Sequence, residues 1–177
     1  MNIYVVRHGE TTYNVDYRIC GISDVELTEL GRKQALEANL LLKDIPFDKV
    51  YVSPLKRAVD TARILTNNQY DLVLDSRIQE INFGIFEGMH RDTKEFQETK
   101  YNLGVHYKNG ESFLEVVHRV YSFLDDLKNK PYNHVLVVCH GGIIRAIHSY
   151  FNDVTNDEFY TMMSKNCEII KYSYENY

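Results

Sequence analysis

Arg7-His8-Gly9-Glu10-Thr11 follows the apolar run Ile3-Tyr4-Val5-Val6, so two cation-capable side chains leave the end of a buried strand together and enter a tight turn. Such a turn suits an anion. Arginine offers a planar fork of donors to phosphate oxygens, and a neutral imidazole beside it is a competent nucleophile, so the pair can both hold and attack a phosphoryl group. The same five residues also describe a strand-end turn with a solvated arginine and a capping histidine, and alone they do not separate the two readings.

Further segments of the same kind favour anion chemistry. Ser53-Pro54-Leu55-Lys56-Arg57-Ala58 follows Lys49-Val50-Tyr51-Val52, with Ser53 as a helix cap, Pro54 at the first helical position, and Leu55, Ala58, Val59, Ala62 and Leu65 at helical spacing. Arg57 then sits in the first turn, beside free backbone N–H groups. His134-Val135-Leu136-Val137-Val138-Cys139 reads as a doubly buried strand that ends at His140-Gly141-Gly142 and enters a helix from Ile143 to Tyr150. In an open, mainly parallel sheet the ligand crevice lies outside the carboxyl ends of the strands, so Arg7, His8, Arg57 and His140 should face one pocket. Glu80 lies in a glycine-punctuated loop, residues 77–88, and its carboxylate reaches the same edge if the strand 71–74 joins the sheet. Ser112 and Glu115 form a capping box for a helix with Phe113, Val116, Val117, Val120, Leu124 and Leu127 on one face.

These segments, in this order, resemble the histidine phosphatase superfamily, the phosphoglycerate mutase-like family. The resemblance rests on Arg7-His8-Gly9-Glu10-Thr11 with Asn14, Gly21-Ile22-Ser23-Asp24, and Leu27-Thr28-Glu29-Leu30-Gly31-Arg32-Lys33-Gln34-Ala35. It continues through Ser53 to Ala58 with Thr61-Ala62, the Glu80 loop ending Phe86-Glu87-Gly88, Gly110-Glu111-Ser112 and His140-Gly141. It implies a three-layer α/β/α sandwich with a mainly parallel central sheet, in one domain over residues 1–177. It also implies catalysis by His8 as the phosphohistidine nucleophile. Arg7, Arg57 and His140 would surround the phosphoryl oxygens, with His140 staying protonated beside the anion, and Glu80 would be the general acid and base. Asn14 and the backbone of Gly21 and Gly141 would supply neutral donors.

The rest of the chain frames this site. Its 177 residues are 44% hydrophobic and 25% charged, an ordinary globular composition with no low-complexity linker and no internal repeat. No apolar stretch is long enough to cross a bilayer, and residues 1–6 read as a strand, not a signal peptide, so a cytoplasmic protein without a membrane partner is expected. Cys20, Cys139 and Cys167 are odd in number and widely spaced, which suits a reducing compartment; Cys20 is expected to be partly exposed and Cys139 to pack in the core. The formal net charge of −5 argues against a nucleic-acid surface but allows a local positive pocket. His8, Glu10, Glu80 and His140 could be imagined around a metal, but adjacent arginines repel a divalent cation, so neither metal nor cofactor is expected. His118 and His148 read as surface or helix-end histidines. Glu87 either shapes the Glu80 loop or is solvated. Residues 89–108, with His90, Arg91, Lys94, Lys100, Tyr101, His106 and Tyr107, read as a specificity cap or as an exposed helix and loop.

Three functions remain. The first is a metal-independent phosphomonoesterase for a small anionic phosphorylated metabolite, similar to the α-ribazole phosphatase and fructose-2,6-bisphosphatase-like branches. The second is a cofactor-dependent phosphoglycerate mutase. Against it, the mutases resemble a longer chain with an arginine-rich insertion, whereas residues 80–88 here leave few cations to retain a bisphosphorylated intermediate. The third is a noncatalytic phosphate-binding or protein-docking module, which the five filled catalytic positions disfavour. The sequence determines neither the oligomeric state nor the pathway.

Overall fold

The computed structural model describes residues 1–176. Along the chain run β1 (Asn2–Arg7), α1 (Thr12–Val15), α2 (Glu29–Leu42), β2 (Lys49–Val52), α3 (Lys56–Leu65), β3 (Leu72–Leu74), α4 (Lys94–Thr99), α5 (Phe113–Lys128), β4 (His134–Cys139), α6 (Gly141–Phe151), α7 (Asn156–Thr161) and β5 (Ile169–Ser173). The strands form one sheet in the order β3-β2-β4-β1-β5. The first four are parallel, and β5 runs antiparallel to β1 at the edge. This is the mainly parallel α/β architecture that the sequence predicts, with an antiparallel edge strand that it does not.

Alternation along the buried strands divides the interior in two. Ile3, Val5, Val135, Val137 and Cys139 pack with Val116, Val120 and Leu124 of α5 and Ile143, Ile144 and Ile147 of α6. Val6, Leu136 and Val138 point the other way, onto Ala35, Ala38 and Leu42 of α2 and Ala58, Ala62 and Leu65 of α3. Because both faces are covered, β4 can be apolar from Val135 to Cys139 without exposing any of it.

Register then fixes the site. Arg7 lies opposite Cys139, and Val52 opposite Val138. The ladder continues one step beyond the strands, where His8 N donates to the Cys139 carbonyl and Ser53 N to the Val138 carbonyl, both at 3.0 Å. Three neighbouring strands therefore end at one level and deliver His8, Ser53 and His140 side by side. No helix of the described residues is long and apolar enough to span a membrane.

Candidate active site

His8 is buried, and its Nδ1 lies 2.7 Å from the carbonyl of Gly9. A carbonyl only accepts, so Nδ1 carries the proton and Nε2 keeps the lone pair. Burial, then the positive charges of Arg57 and Arg7, hold the imidazole well below its ordinary range, so it is neutral near pH 7. Gly9 makes this turn possible: a Cβ there would come within 2.4 Å of the Gly31 carbonyl oxygen, where the first turn of α2 passes.

His140, fully buried, stands beside it with ring centroids 5.2 Å apart. Its Nε2 meets Ser53 Oγ at 2.6 Å. This corrects the sequence assignment of Ser53 as a helix cap: α3 starts at Lys56 without a side-chain cap, and the serine hydroxyl orients His140 instead. Burial, followed by repulsion from Arg57, His8 and Arg7, also keeps His140 neutral in the ligand-free protein, where the sequence reading had a protonated ring. That reading presupposed a phosphate anion next to it.

Arg57 has no exposed surface, and its guanidinium donates to the carbonyls of Ser23 (2.8 Å) and Gly21 (2.6 Å). The N–H groups of the same loop point the other way. Gly21, Ile22 and Ser23 all donate backbone N–H to the Glu87 carboxylate, at 3.1, 3.0 and 3.2 Å. Glu87 thus shapes the loops as one of its two sequence readings has it. The Gly21 N–H, expected to bind substrate, is committed to Glu87, and Gly21 acts through its carbonyl on Arg57.

Glu80 is held by backbone alone. Oε1 accepts from Ile81 N (3.0 Å) and Oε2 from Gly142 N (3.1 Å). The loop that carries it is clamped by Arg119 of α5, which donates to the carbonyls of Arg77, Gln79 and Glu80 while its Nε and Nη2 pair with Glu111. Sequence reasoning missed this clamp, because Arg119 reads as one more charge on the polar face of an amphipathic helix.

Arg7, His8, Asn14, Glu80 and Gly141 line a cavity of about 270 Å³. Arg57 and His140 stand behind that lining, without exposed surface. The segment 89–108 supplies Arg91, Phe96, Gln97, Lys100, Tyr101 and Tyr107 to the outer wall. Arg145 of α6 also lines it and was not anticipated: in an apolar helix it reads as a solvated interruption. Cys20 is buried at the cavity wall instead of partly exposed, and Cys139 is in the core. Among the described residues no three His, Cys, Asp or Glu side chains are grouped so as to hold a metal ion.

Comparison with known proteins gives matches over nearly the whole chain. Residues 3–177 match the family model of the histidine phosphatase superfamily (branch 1). A relative from Cronobacter sakazakii, named probable phosphoglycerate mutase GpmB, is 30% identical over 99% of this chain and 86% of its own length. The α-ribazole phosphatase from Shigella flexneri superposes with a TM-score of 0.83 at 29% identity, over 97% of this chain and 89% of that one. A mycobacterial glucosyl-3-phosphoglycerate phosphatase does so at 0.84 and 25% identity, over 96% and 88%.

Proposed function

This chain belongs to the histidine phosphatase superfamily, and from that premise we propose that it is a phosphomonoesterase that hydrolyses a small phosphorylated metabolite through a phosphohistidine on His8. The observation that carries the reading is the Nδ1 contact to the Gly9 carbonyl, because it leaves Nε2 as the nucleophilic nitrogen of a neutral ring. Nε2 attacks phosphorus and the P–O bond to the leaving alcohol breaks. Arg7, Arg57 and His140 stabilise charge on the transferring oxygens, with Asn14 and the Gly141 N–H as neutral donors. Glu80 gives its proton to the departing oxygen. In the second half, its carboxylate takes a proton from water, the water oxygen attacks phosphorus, and the P–N bond breaks to release phosphate. Arg7 Nε, Arg57 Nε and His140 Nδ1 are buried without a hydrogen-bond partner among the described residues. Such groups cost about 1–3 kcal/mol each when unpaired, a cost that a bound anion offsets. With arginines and histidines carrying the charge, no step calls for a metal ion.

The segment 89–108 serves as the specificity cap in this reading. A mutase would share the His8 chemistry and return the phosphoryl group to the bound product instead of water. The argument that few cations remain for a bisphosphorylated intermediate does not survive the structure, since Arg91, Lys100 and Arg145 line the cavity. Support for hydrolysis comes instead from the two structural neighbours named as phosphatases.

The test is a brief exposure to 32P-labelled substrate, quenched in alkali, with the labelled peptide mapped. The label is expected on His8 and absent from His8→Ala, with release of inorganic phosphate by the intact protein. A label elsewhere, or full activity of His8→Ala, overturns the assignment. Rapid isomerisation of 3-phosphoglycerate with 2,3-bisphosphoglycerate, with little net hydrolysis, would establish the mutase.

A further inference from the structure

Arg57 is a buried cation whose partners are uncharged. Among the described residues its guanidinium bonds only to the backbone carbonyls of Ser23 and Gly21. Two carbonyl dipoles compensate such a charge in part, and the remainder is costly unless a counter-charge lies near. Glu87 supplies one from the far side of the same loop. The peptide group that joins Gly21 to Ile22 is bonded at both ends: its carbonyl accepts from Arg57 Nη2 at 2.6 Å, and its N–H donates to Glu87 Oε1 at 3.0 Å. In a trans peptide these two groups point in opposite directions. Carboxylate and guanidinium therefore face each other across a single peptide, and each polarises it so as to strengthen the other's hydrogen bond.

The Glu87 carboxylate is fully engaged in this task. Besides Ile22 it accepts backbone N–H groups from Gly21, Ser23 and Phe83, at 3.1, 3.2 and 3.1 Å, and the Ser23 hydroxyl. Only glycine fits at position 21, where a Cβ would lie 2.1 Å from Glu87 Oε1. A carboxylate in direct contact with Arg57 would occupy donors that a phosphoryl oxygen needs. One peptide removed, it balances the charge and leaves Arg57 Nε without a partner. Glu87 itself does not line the cavity.

We propose that Glu87 is a positioning residue for phosphoryl transfer, which holds Arg57 in its receiving orientation through the Gly21–Ile22 peptide. The inference rests on the phosphatase reading for what Arg57 receives. Taken as a charge alone, Glu87 would repel a bound phosphate, so the sign of the effect identifies the route by which it acts.

Glu87→Gln provides the test. Glutamine offers one acceptor oxygen to four backbone N–H groups and sets its NH2 against the rest, so the loop has to shift and take its carbonyls off Arg57. Binding of inorganic phosphate is measured by calorimetry on the intact protein, Glu87→Gln, Arg57→Met and the double variant, with thermal melting as the check on folding. Phosphohistidine formation from p-nitrophenyl phosphate is followed on the same four proteins by single-turnover alkaline quench. Glu87→Gln should bind phosphate about ten-fold more weakly and form phosphohistidine more slowly by a similar factor. In the Arg57→Met background the same substitution should have little further effect. Equal losses in both backgrounds would show that the loop needs only tethering, and tighter phosphate binding by Glu87→Gln would show that only the charge reaches the site; either result overturns the proposal. Arg57→Lys, which keeps the charge and loses the fork, replaces Arg57→Met if that variant does not fold. Glu87→Asp, which draws the carboxylate back by one methylene, replaces Glu87→Gln on the same terms and should show the same dependence on Arg57. Phosphohistidine formation by the intact protein separates these outcomes from failure of the phosphatase reading, in which none would form.

Discussion

Replacing Glu80 by glutamine removes a proton donor and also disturbs the way the side chain is held, and the two effects can be told apart. Both carboxylate oxygens accept backbone N–H groups, from Ile81 and Gly142. An amide can satisfy one of them, and its NH2 must face the other as donor against donor. Leaving one of these backbone N–H groups unpaired costs about 1–3 kcal/mol. No space exists for easy adjustment on the Gly142 side, where even a Cβ would come within 2.5 Å of Oε1. This positional cost falls on every substrate. The loss of general acid catalysis does not: it removes about 10²–10⁴-fold, roughly 3–5 kcal/mol, only where the leaving oxygen needs a proton. An alkyl alkoxide needs it and a nitrophenolate does not. Phosphohistidine formation by Glu80→Gln, measured in a single turnover by rapid alkaline quench, should therefore slow by about two or more further powers of ten with an alkyl phosphate than with p-nitrophenyl phosphate. Equal losses on the two substrates would refute the acid role and leave Glu80 as a positioning residue.

The buried neutral histidines make stability depend on pH. Because His8 and His140 have folded-state values depressed below the ordinary value of about 6.5, their contribution is complete above that pH. It is lost as the pH falls toward their folded values, by up to about 1.4 kcal/mol per pH unit for each. Urea denaturation of the ligand-free protein at pH 7.5, 6.0 and 5.0 should show this decline, and a flat profile would contradict it. Arg119→Met should lower stability by about 1–3 kcal/mol in the same assay, with its pairing to Glu111 discounted for partial exposure. Arg119→Lys should recover little, since one ammonium cannot hold three carbonyls and a carboxylate; full recovery would show that charge alone matters. Gly31→Ala should cost about 1–3 kcal/mol and reduce turnover, because its Cβ would meet the Glu10 carbonyl oxygen at 2.2 Å and push on the turn that carries His8. Wild-type stability in that variant would show that the two backbones have room to part.

The parts of the site that sequence reveals are those where one local pattern carries both fold and chemistry. β1, β2 and β4 are apolar runs, each followed at once by polar residues and a helix or turn, so the strand and its delivered side chain are read together. Asn14 and Gly141 follow from the family resemblance and do line the cavity. β5 was invisible because Ile169-Ile170-Lys171-Tyr172-Ser173 is short and half polar, and its pairing depends on a strand at the other end of the sequence. The hydroxyl of Ser53, the N–H of Gly21 and the guanidinium of Arg119 were misread or overlooked for a common reason. Each has a satisfactory local partner on paper, and only packing shows that the actual partner is remote. Arg145 escaped because helical spacing reports which face is apolar, and not that a cavity opens beside one turn of it.

The position of β1 has a consequence for how the protein comes to exist. Asn2 pairs with His134 on one side and with Ser173 on the other. Arg7 Nη1 reaches the Ser164 carbonyl, and Asn166 donates to that of His8. β1 therefore stays apolar and unpaired on one edge until residues 134–139 have been made, and on the other until residues 169–173 have. Loops that long are slow to close, and an apolar strand left open invites pairing with other chains in the meantime. His8 gains its ladder partner at Cys139 with β4, and its support from Asn166 only with the segment that precedes β5.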